Sequence, residues 1–231
     1  MAEPPLVVSE IFGPTVQGEG PDVGKRCAFV RLGRCNLSCQ WCDTPYSWDW
    51  SRFDASVELS EQSPDAIVAR LATMAVDTVV ITGGEPLLQQ RRLLPLIQEF
   101  RRLKWKTHVE TAGTLAWDAD PKLVDRWVVS PKLANSGMTA RRRLRYDVLR
   151  RFADAGATFK FVVVDVADLD EVAAVVARVG IAPHAVWIMP EGTKPRAIAD
   201  RTAKVADDVI ARGWNLTTRL HVLAWGDKRG K

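Results

Sequence analysis

From residue 57 onward, short apolar runs alternate with longer stretches whose apolar residues recur at helical spacing. SPDAIVARLATMA (63–75) opens on Ser-Pro, a helix start signal, and keeps its apolar positions on one face. DTVVIT (77–82) reads as a short buried strand, followed by a helix through PLLQQRRLLPLIQEFRRL (86–103). Further strands are predicted at KTHVET (106–111), RWVVS (126–130), TFKFVVV (158–164), AVWIMP (185–190) and RLHVLAW (219–225). Helices are predicted at LRYDVLRRFADAG (144–156), ADLDEVAAVVARVG (167–180) and KPRAIADRTAKVADDVIARG (194–213), with glycine as the expected C-cap. Upstream, CAFVRLG (27–33) reads as a strand that runs directly into a group of cysteines.

This strand–helix repetition predicts an α/β fold with a mostly parallel sheet and helices outside it. The chain carries about six or seven such units, too few for a full barrel. The expected architecture is an incomplete (β/α) barrel, with an open doubly wound sheet as the alternative. No repeat, linker or low-complexity segment interrupts the pattern, so residues 1–231 are expected to form one domain.

The carboxyl ends of the predicted strands share a character. VVIT leads into TGGEP, THVE into ETAG, WVVS into SPK and VWIM into MPEG. In parallel α/β architectures these ends line the ligand site. Glycine and proline also make ordinary turns, but four such ends together favour a pocket.

Composition adds boundaries rather than direction. The 231 residues are 47% hydrophobic and 26% charged, ordinary for a soluble globular chain. Lys and Arg number 32 against 28 Asp and Glu, a formal charge of +4 that does not by itself argue for nucleic acid. The basic run ARRRLRYDVLRR (140–151) lacks interleaved aromatic residues and reads as the solvated face of a helix. MAEPPLVVSEIFG has no secretory pattern, and no apolar run approaches the ~20 residues of a membrane helix. The expected location is the cytoplasm, with no membrane partner.

Candidate chemistry concentrates in RCNLSCQWCDTPYSWDW (34–50), which holds Cys35, Cys39 and Cys42. A structural zinc site needs four ligands. The one other cysteine, Cys27, lies along the preceding strand, where an extended run holds it roughly 20–26 Å from Cys35. His108, His184 and His221 are all distant in sequence. Zinc thus remains a weaker candidate, and Cys27 reads as a buried core thiol. Three closely spaced thiolates suit an iron–sulfur cluster, and on a four-iron cluster they leave one iron open for reaction.

C-x3-C-x2-C after the first strand, with GGEP after a later one, resembles the radical S-adenosylmethionine superfamily over nearly the whole chain. That resemblance implies a partial barrel of about (β/α)6 with modifications. It also implies a [4Fe-4S] cluster on Cys35, Cys39 and Cys42 whose open iron is chelated by S-adenosylmethionine. Reductive cleavage of that cofactor then yields a 5′-deoxyadenosyl radical that takes a substrate hydrogen. Gly83 and Gly84 would allow close backbone approach, and the Glu85 carboxylate suits the methionine ammonium.

Further residues narrow the branch. VQGEG (16–20) presents the Gln17 amide and Glu19 carboxylate from a tight loop, a pairing able to read a guanine-like edge, although a surface turn would look the same. Thr44 follows the last cysteine by two residues and offers a hard oxygen to Mg²⁺. Arg31, if inward-facing, can fork onto a substrate carboxylate. QGEG, R-x3-C-x3-C-x2-C-D-T, TGGEP, ETAG and SPK together resemble the branch that contracts 6-carboxy-5,6,7,8-tetrahydropterin to a 7-carboxy-7-deazaguanine with loss of ammonia. This is a carbon–nitrogen lyase reaction on the route to 7-deazapurines such as queuosine precursors.

That resemblance implies Mg²⁺ at Thr44 and pterin contacts from Val16, Gln17, Gly18, Glu19, Arg31 and Thr82. It implies S-adenosylmethionine contacts from Gly84, Glu85, Ser130 and Lys132, with Trp41 and Asp43 beside the cluster and Met189, Pro190, Glu191 and Gly192 nearby. Expected partners are an electron donor such as flavodoxin or ferredoxin and a second copy of the chain in a homodimer. Some members end in a proline that reaches the substrate, whereas this chain ends LAWGDKRGK, and His221 on the last predicted strand is the candidate contact there. Two alternatives stay open: a glycyl-radical-enzyme activase of the same superfamily, and a zinc-bound RNA-interacting module using the basic helix.

Overall fold

The computed structural model describes residues 4–231. Its strands are β1 (Leu6–Val16), β2 (Arg26–Leu32), β3 (Ser60–Gln62), β4 (Thr78–Gly83), β5 (Lys106–Thr111), β6 (Arg126–Val129), β7 (Thr158–Val163), β8 (Val186–Pro190) and β9 (Asn215–Leu216). The helices are α1 (Ala55–Glu58), α2 (Pro64–Ala72), α3 (Gln90–Arg102), α4 (Ala140–Arg143), α5 (Tyr146–Asp154), α6 (Asp168–Val179), α7 (Pro195–Ala211) and α8 (Leu220–Trp225). The strands form one open nine-stranded mixed sheet in the order β3-β1-β2-β4-β5-β6-β7-β8-β9. β1 pairs antiparallel with β2 and β3, and every pairing from β2 to β9 is parallel.

Local signals account for the helix ends. The Ser63 hydroxyl caps α2 by accepting from the Ala66 N–H, with Pro64 at the first helical position. Gly180, in the left-handed region, terminates α6 through its N–H to Val176 O. Not every link carries a helix: β5 and β6 are joined through a single 3-10 turn at Pro121–Leu123. The strand–helix alternation is therefore less regular than six equal units.

The predicted strand at 219–225 is overturned, because Leu220–Trp225 is α8. The last parallel strand is the two-residue β9, registered as Trp187↔Asn215 and Ile188↔Leu216. Beyond it the chain leaves the sheet, and the Leu220 N–H turns to Gly18 O at 2.8 Å. Leu and Ala favour a helix there, and Val222 is the buried contact, so apolar alternation misread a short amphipathic turn. The basic run also differs from a uniformly solvated face. Arg141 and Arg142 are exposed, but Arg143 is buried, pairing with Glu171 at 2.6 Å and donating to Lys132 O at 2.9 Å.

Strand alternation divides the sheet into two environments. Val79, Ile81, Val109, Val129, Phe159, Phe161 and Ile188 join helix residues such as Leu71, Ile97 and Leu149 in the main core. The alternate positions, among them Arg31, Thr82, Glu110, Ser130, Lys160 and Met189, line a cavity on the other face. At one edge of that face Asp22 is buried, 2.6 Å from Arg126 Nε and 3.5 Å from His108 Nδ1, an arrangement that closes the early halves of β5 and β6. Among the described residues no helix is long and apolar enough to cross a membrane.

Candidate active site

The cavity has a volume of about 590 Å³. Its walls are the carboxyl-terminal halves of the parallel strands, the loop after β2, the 16–19 turn and the start of α8. That volume suits a small molecule with a cofactor beside it.

Cys35, Cys39 and Cys42 all face this cavity from the irregular loop after β2. The Leu37 N–H donates to Cys35 Sγ at 3.4 Å, and Trp48 Nε1–H donates to Cys42 Sγ at 3.3 Å. Such donors favour thiolates that burial otherwise disfavours: desolvation pushes the Cys35 thiol up to about 12 and raises Cys39. Cys27 is buried against Phe29 and Val80, with its thiol pushed up to about 12 by burial, as a core residue. Among the described residues no three His, Cys, Asp or Glu side chains gather around one point, as a single zinc ion requires.

The loop is clamped by the segments that follow β5 and β6. Trp41 Nε1–H donates to Asn135 O at 3.0 Å, Gln40 donates to the same oxygen at 2.8 Å, and Asn36 donates to Thr114 Oγ1 at 2.9 Å. Lys132 Nζ donates to Ser130 Oγ at 3.0 Å and stands 5.7 Å from the centre of the Trp41 ring. Ser130, Lys132 and Trp41 are thus neighbours at the cysteine loop. Thr44 Oγ1 is 3.7 Å from Cys42 Sγ, also on the cavity wall.

On the opposite wall, Gln17 Nε2 and Thr82 Oγ1 both donate to the Glu110 carboxylate, at 3.0 and 2.9 Å. Glu19 is held by Lys160 on one oxygen and by Arg219 Nε at 2.9 Å on the other. Burial opposes ionisation of Glu19, but Lys160, Arg219 and His221 hold its carboxyl well below the usual range. Arg31 does face inward, and its Nε donates to Glu10 Oε2 at 2.9 Å, an oxygen that also accepts from Tyr46. His221 reaches the cavity from α8 rather than from a strand, with its ring packed against Gly18. Val16, Gly18, Asp43, Gly84, Met189 and Glu191 also line the cavity.

Three expected contacts stand elsewhere. Glu85 is fully buried and does not line the cavity. Its carboxylate accepts from Leu87 N at 3.1 Å, Thr111 Oγ1 at 2.8 Å and Ala112 N at 2.8 Å, so it braces the start of the segment after β4 and the end of β5. Pro190 and Gly192 lie outside the lining, where Gly192 O accepts from Arg219 Nη1 at 2.8 Å. The sequence reading also missed Glu10, Tyr46, Glu110, Lys160 and Arg219. Lys160, a lone cation inside the apolar run TFKFVVV, carried the clearest signal.

Comparison with known proteins decides the family. A 4Fe-4S single cluster domain matches residues 16–133. The 7-carboxy-7-deazaguanine synthase of Pyrobaculum aerophilum is 39% identical over all of this chain and 99% of its own length. The chain belongs to the 7-carboxy-7-deazaguanine synthase family. The synthase of Halobacterium salinarum is 35% identical, covering 97% of this chain and 92% of that protein. The crystal structure of QueE from Escherichia coli superposes with a TM-score of 0.74 at 27% identity, over 94% of this chain and 95% of that one. S-adenosylmethionine-bound SuiB from Streptococcus suis, at 17% identity and TM-score 0.53, covers 80% of this chain and 48% of its own and shares the fold.

Proposed function

We propose that the protein converts 6-carboxy-5,6,7,8-tetrahydropterin to 7-carboxy-7-deazaguanine with loss of ammonia, as a radical S-adenosylmethionine carbon–nitrogen lyase. The observation that carries this reading is one cavity bearing a three-cysteine loop on one wall and an amide–carboxylate reading edge on another. Family membership supports the same activity. The residues fit the implied [4Fe-4S] cluster: the cysteine sulfurs face a common cavity, two of them accept N–H donors, and a single protein ligand set of three leaves an open iron. Gly84 supports it too, because a Cβ there would meet Arg34 O at 2.0 Å and Cys35 Cβ at 2.9 Å.

Bound together, the cluster and S-adenosylmethionine supply the radical that removes a substrate hydrogen. The chain's own residues bind and orient. Gly84, Ser130, Lys132 and Met189 flank the cofactor position, with Trp41 and Asp43 beside the cysteines. The ionised Glu19 and the Gln17 amide receive and supply hydrogen bonds along the pterin's guanidine-like edge, and Thr82 is steered by Glu110. Arg31, held to Glu10 through Nε, offers its Nη nitrogens to the substrate carboxylate, and His221 closes the pocket beside Gly18. Thr44, on the cavity wall, would hold Mg²⁺ through its neutral hydroxyl oxygen, a hard ligand of the kind that ion accepts.

The proposal extends to a single working domain over residues 1–231, a flavodoxin- or ferredoxin-type electron donor, a homodimer and a cytoplasmic site of action. Anaerobic incubation of the reduced, iron-loaded protein with S-adenosylmethionine, Mg²⁺ and carboxytetrahydropterin tests it by product mass. The expected product is 7-carboxy-7-deazaguanine. No product from protein with a competent cluster would overturn the reading.

A further inference from the structure

Arg219 belongs to no motif, yet it joins three segments distant in sequence. It stands at the N-terminal edge of α8 with its side chain only 5% exposed. Its Nε donates to Glu19 Oε1 at 2.9 Å, its Nη1 to Gly192 O at 2.8 Å, and its Nη2 to Asp43 Oδ2. Each guanidinium nitrogen therefore serves a different wall of the cavity: the 16–19 turn, the segment after β8, and the cysteine loop. The second oxygen of Glu19 is already held by Lys160. Around the same point, Leu220 N–H donates to Gly18 O at 2.8 Å, and a Cβ on Gly18 would fall 2.0 Å from His221 Nδ1. The first turn of α8 is thus seated on the 18–19 backbone, with the His221 ring packed directly over Gly18.

The geometry points to Arg219 as a positioning residue that fixes the substrate-reading carboxylate of Glu19 relative to Asp43 on the cysteine loop. The inference rests on the functional reading above. Asp43 lies between Cys42 and Thr44, so its carboxylate reports directly on the loop that carries the cluster ligands. A planar guanidinium can serve three acceptors at fixed angles, whereas an ammonium at the same place is a point charge on a flexible stem. Without the fork, Glu19 and Asp43 are two carboxylates facing one cavity with no shared cation. Substrate and cofactor then bind on walls free to shift against each other, and small misplacements between reacting atoms cost much of the rate.

Arg219→Lys tests this by separating binding from coupling. Iron and sulfide content per chain should match the wild type, because none of the cysteines touches Arg219. Calorimetric titration of the pterin into protein with its cluster oxidised, where no turnover occurs, should show affinity reduced about tenfold through the loosened Glu19. Under turnover, 5′-deoxyadenosine released per product formed should rise severalfold, a leak that a uniformly destabilised enzyme does not show. Asp43→Asn supplies the second reading should Arg219→Lys fail to fold. It leaves the Arg219–Glu19 pair intact, so pterin affinity should hold while the same leak appears. Wild-type coupling and pterin affinity in a folded Arg219→Lys protein, or wild-type coupling in Asp43→Asn, overturns the proposal. Absence of product from the wild type is a different result and overturns the functional reading itself.

Discussion

At Gly84 the cysteine loop and the end of β4 touch so closely that even one methyl group has no place. A Cβ would meet backbone at Arg34 O, 2.0 Å away, and backbone cannot swing aside as a side chain can. Gly84→Ala should therefore displace the Cys35 segment and lower iron and sulfide content after anaerobic reconstitution by roughly half or more. Full cluster loading would show that the loop tolerates the shift. The neighbouring Glu85 makes the opposite point. Its carboxylate serves Leu87, Thr111 and Ala112 rather than the cavity, so Glu85→Gln places an amide N–H₂ against a donor in a fully buried site. The expected loss is about 2 kcal/mol in urea unfolding of the cluster-free protein. Unchanged stability with weakened S-adenosylmethionine binding would return Glu85 to the ligand role its motif suggested.

The elements themselves were legible wherever a run was long enough for its period to be clear. α2, α6 and α7 fall inside their predicted stretches, and β5 occupies the predicted 106–111. What escaped were cavity-facing positions such as Lys160 and Val162, because the alternation of a parallel strand buried on both faces is visible only when an inward residue is polar. In TFKFVVV, Lys160 marks the inner face, while Val162 beside it is equally inward and gives no sign. α8 failed for another reason: six residues are too few to show a helical period, and its placement depends on Gly18 and Glu19, some two hundred positions away. The segment that follows α8 extends this docking. Arg229 donates to Glu10 and, at 2.8 Å, pairs with Glu58, while its guanidinium lies 3.9 Å from the Tyr46 ring centre over the cavity rim. Arg229→Ala should raise amide exchange in residues 226–231 and speed proteolysis there, with under about 1 kcal/mol lost globally because the side chain is half exposed. Equal exchange in both proteins would mean that the segment is held by contacts other than this cation.

Across the whole molecule, Glu19, Glu10 and His221 make stability fall in acid, while Glu85, whose carboxyl burial raises, works against them. Burial raises the cost of charge on Glu19, but Lys160, Arg219 and His221 more than offset it, so Glu19 ionises more readily folded than unfolded. Glu10 behaves alike: burial opposes charge, and Arg229, Arg31 and Tyr46 reverse that effect. A carboxyl lowered by folding contributes stability that is complete above its unfolded value of about 4.3 and is lost as pH falls below it. His221 shifts in the same sense, because burial lowers its value despite Glu19, and protonation below about 6.5 weighs against the fold. Urea unfolding should therefore show stability declining steadily from near neutral pH into acid. Glu19→Gln isolates the largest contributor. Near neutrality it leaves Lys160 and Arg219 buried without their shared anion, at a cost of about 3 kcal/mol. As the pH falls below about 4.3, the unfolded chain takes up a proton on Glu19 that the folded protein still refuses, so the wild type loses this advantage and the two proteins should converge. A difference that stays constant across the range would mean that Glu19 contributes through packing and not through its charge.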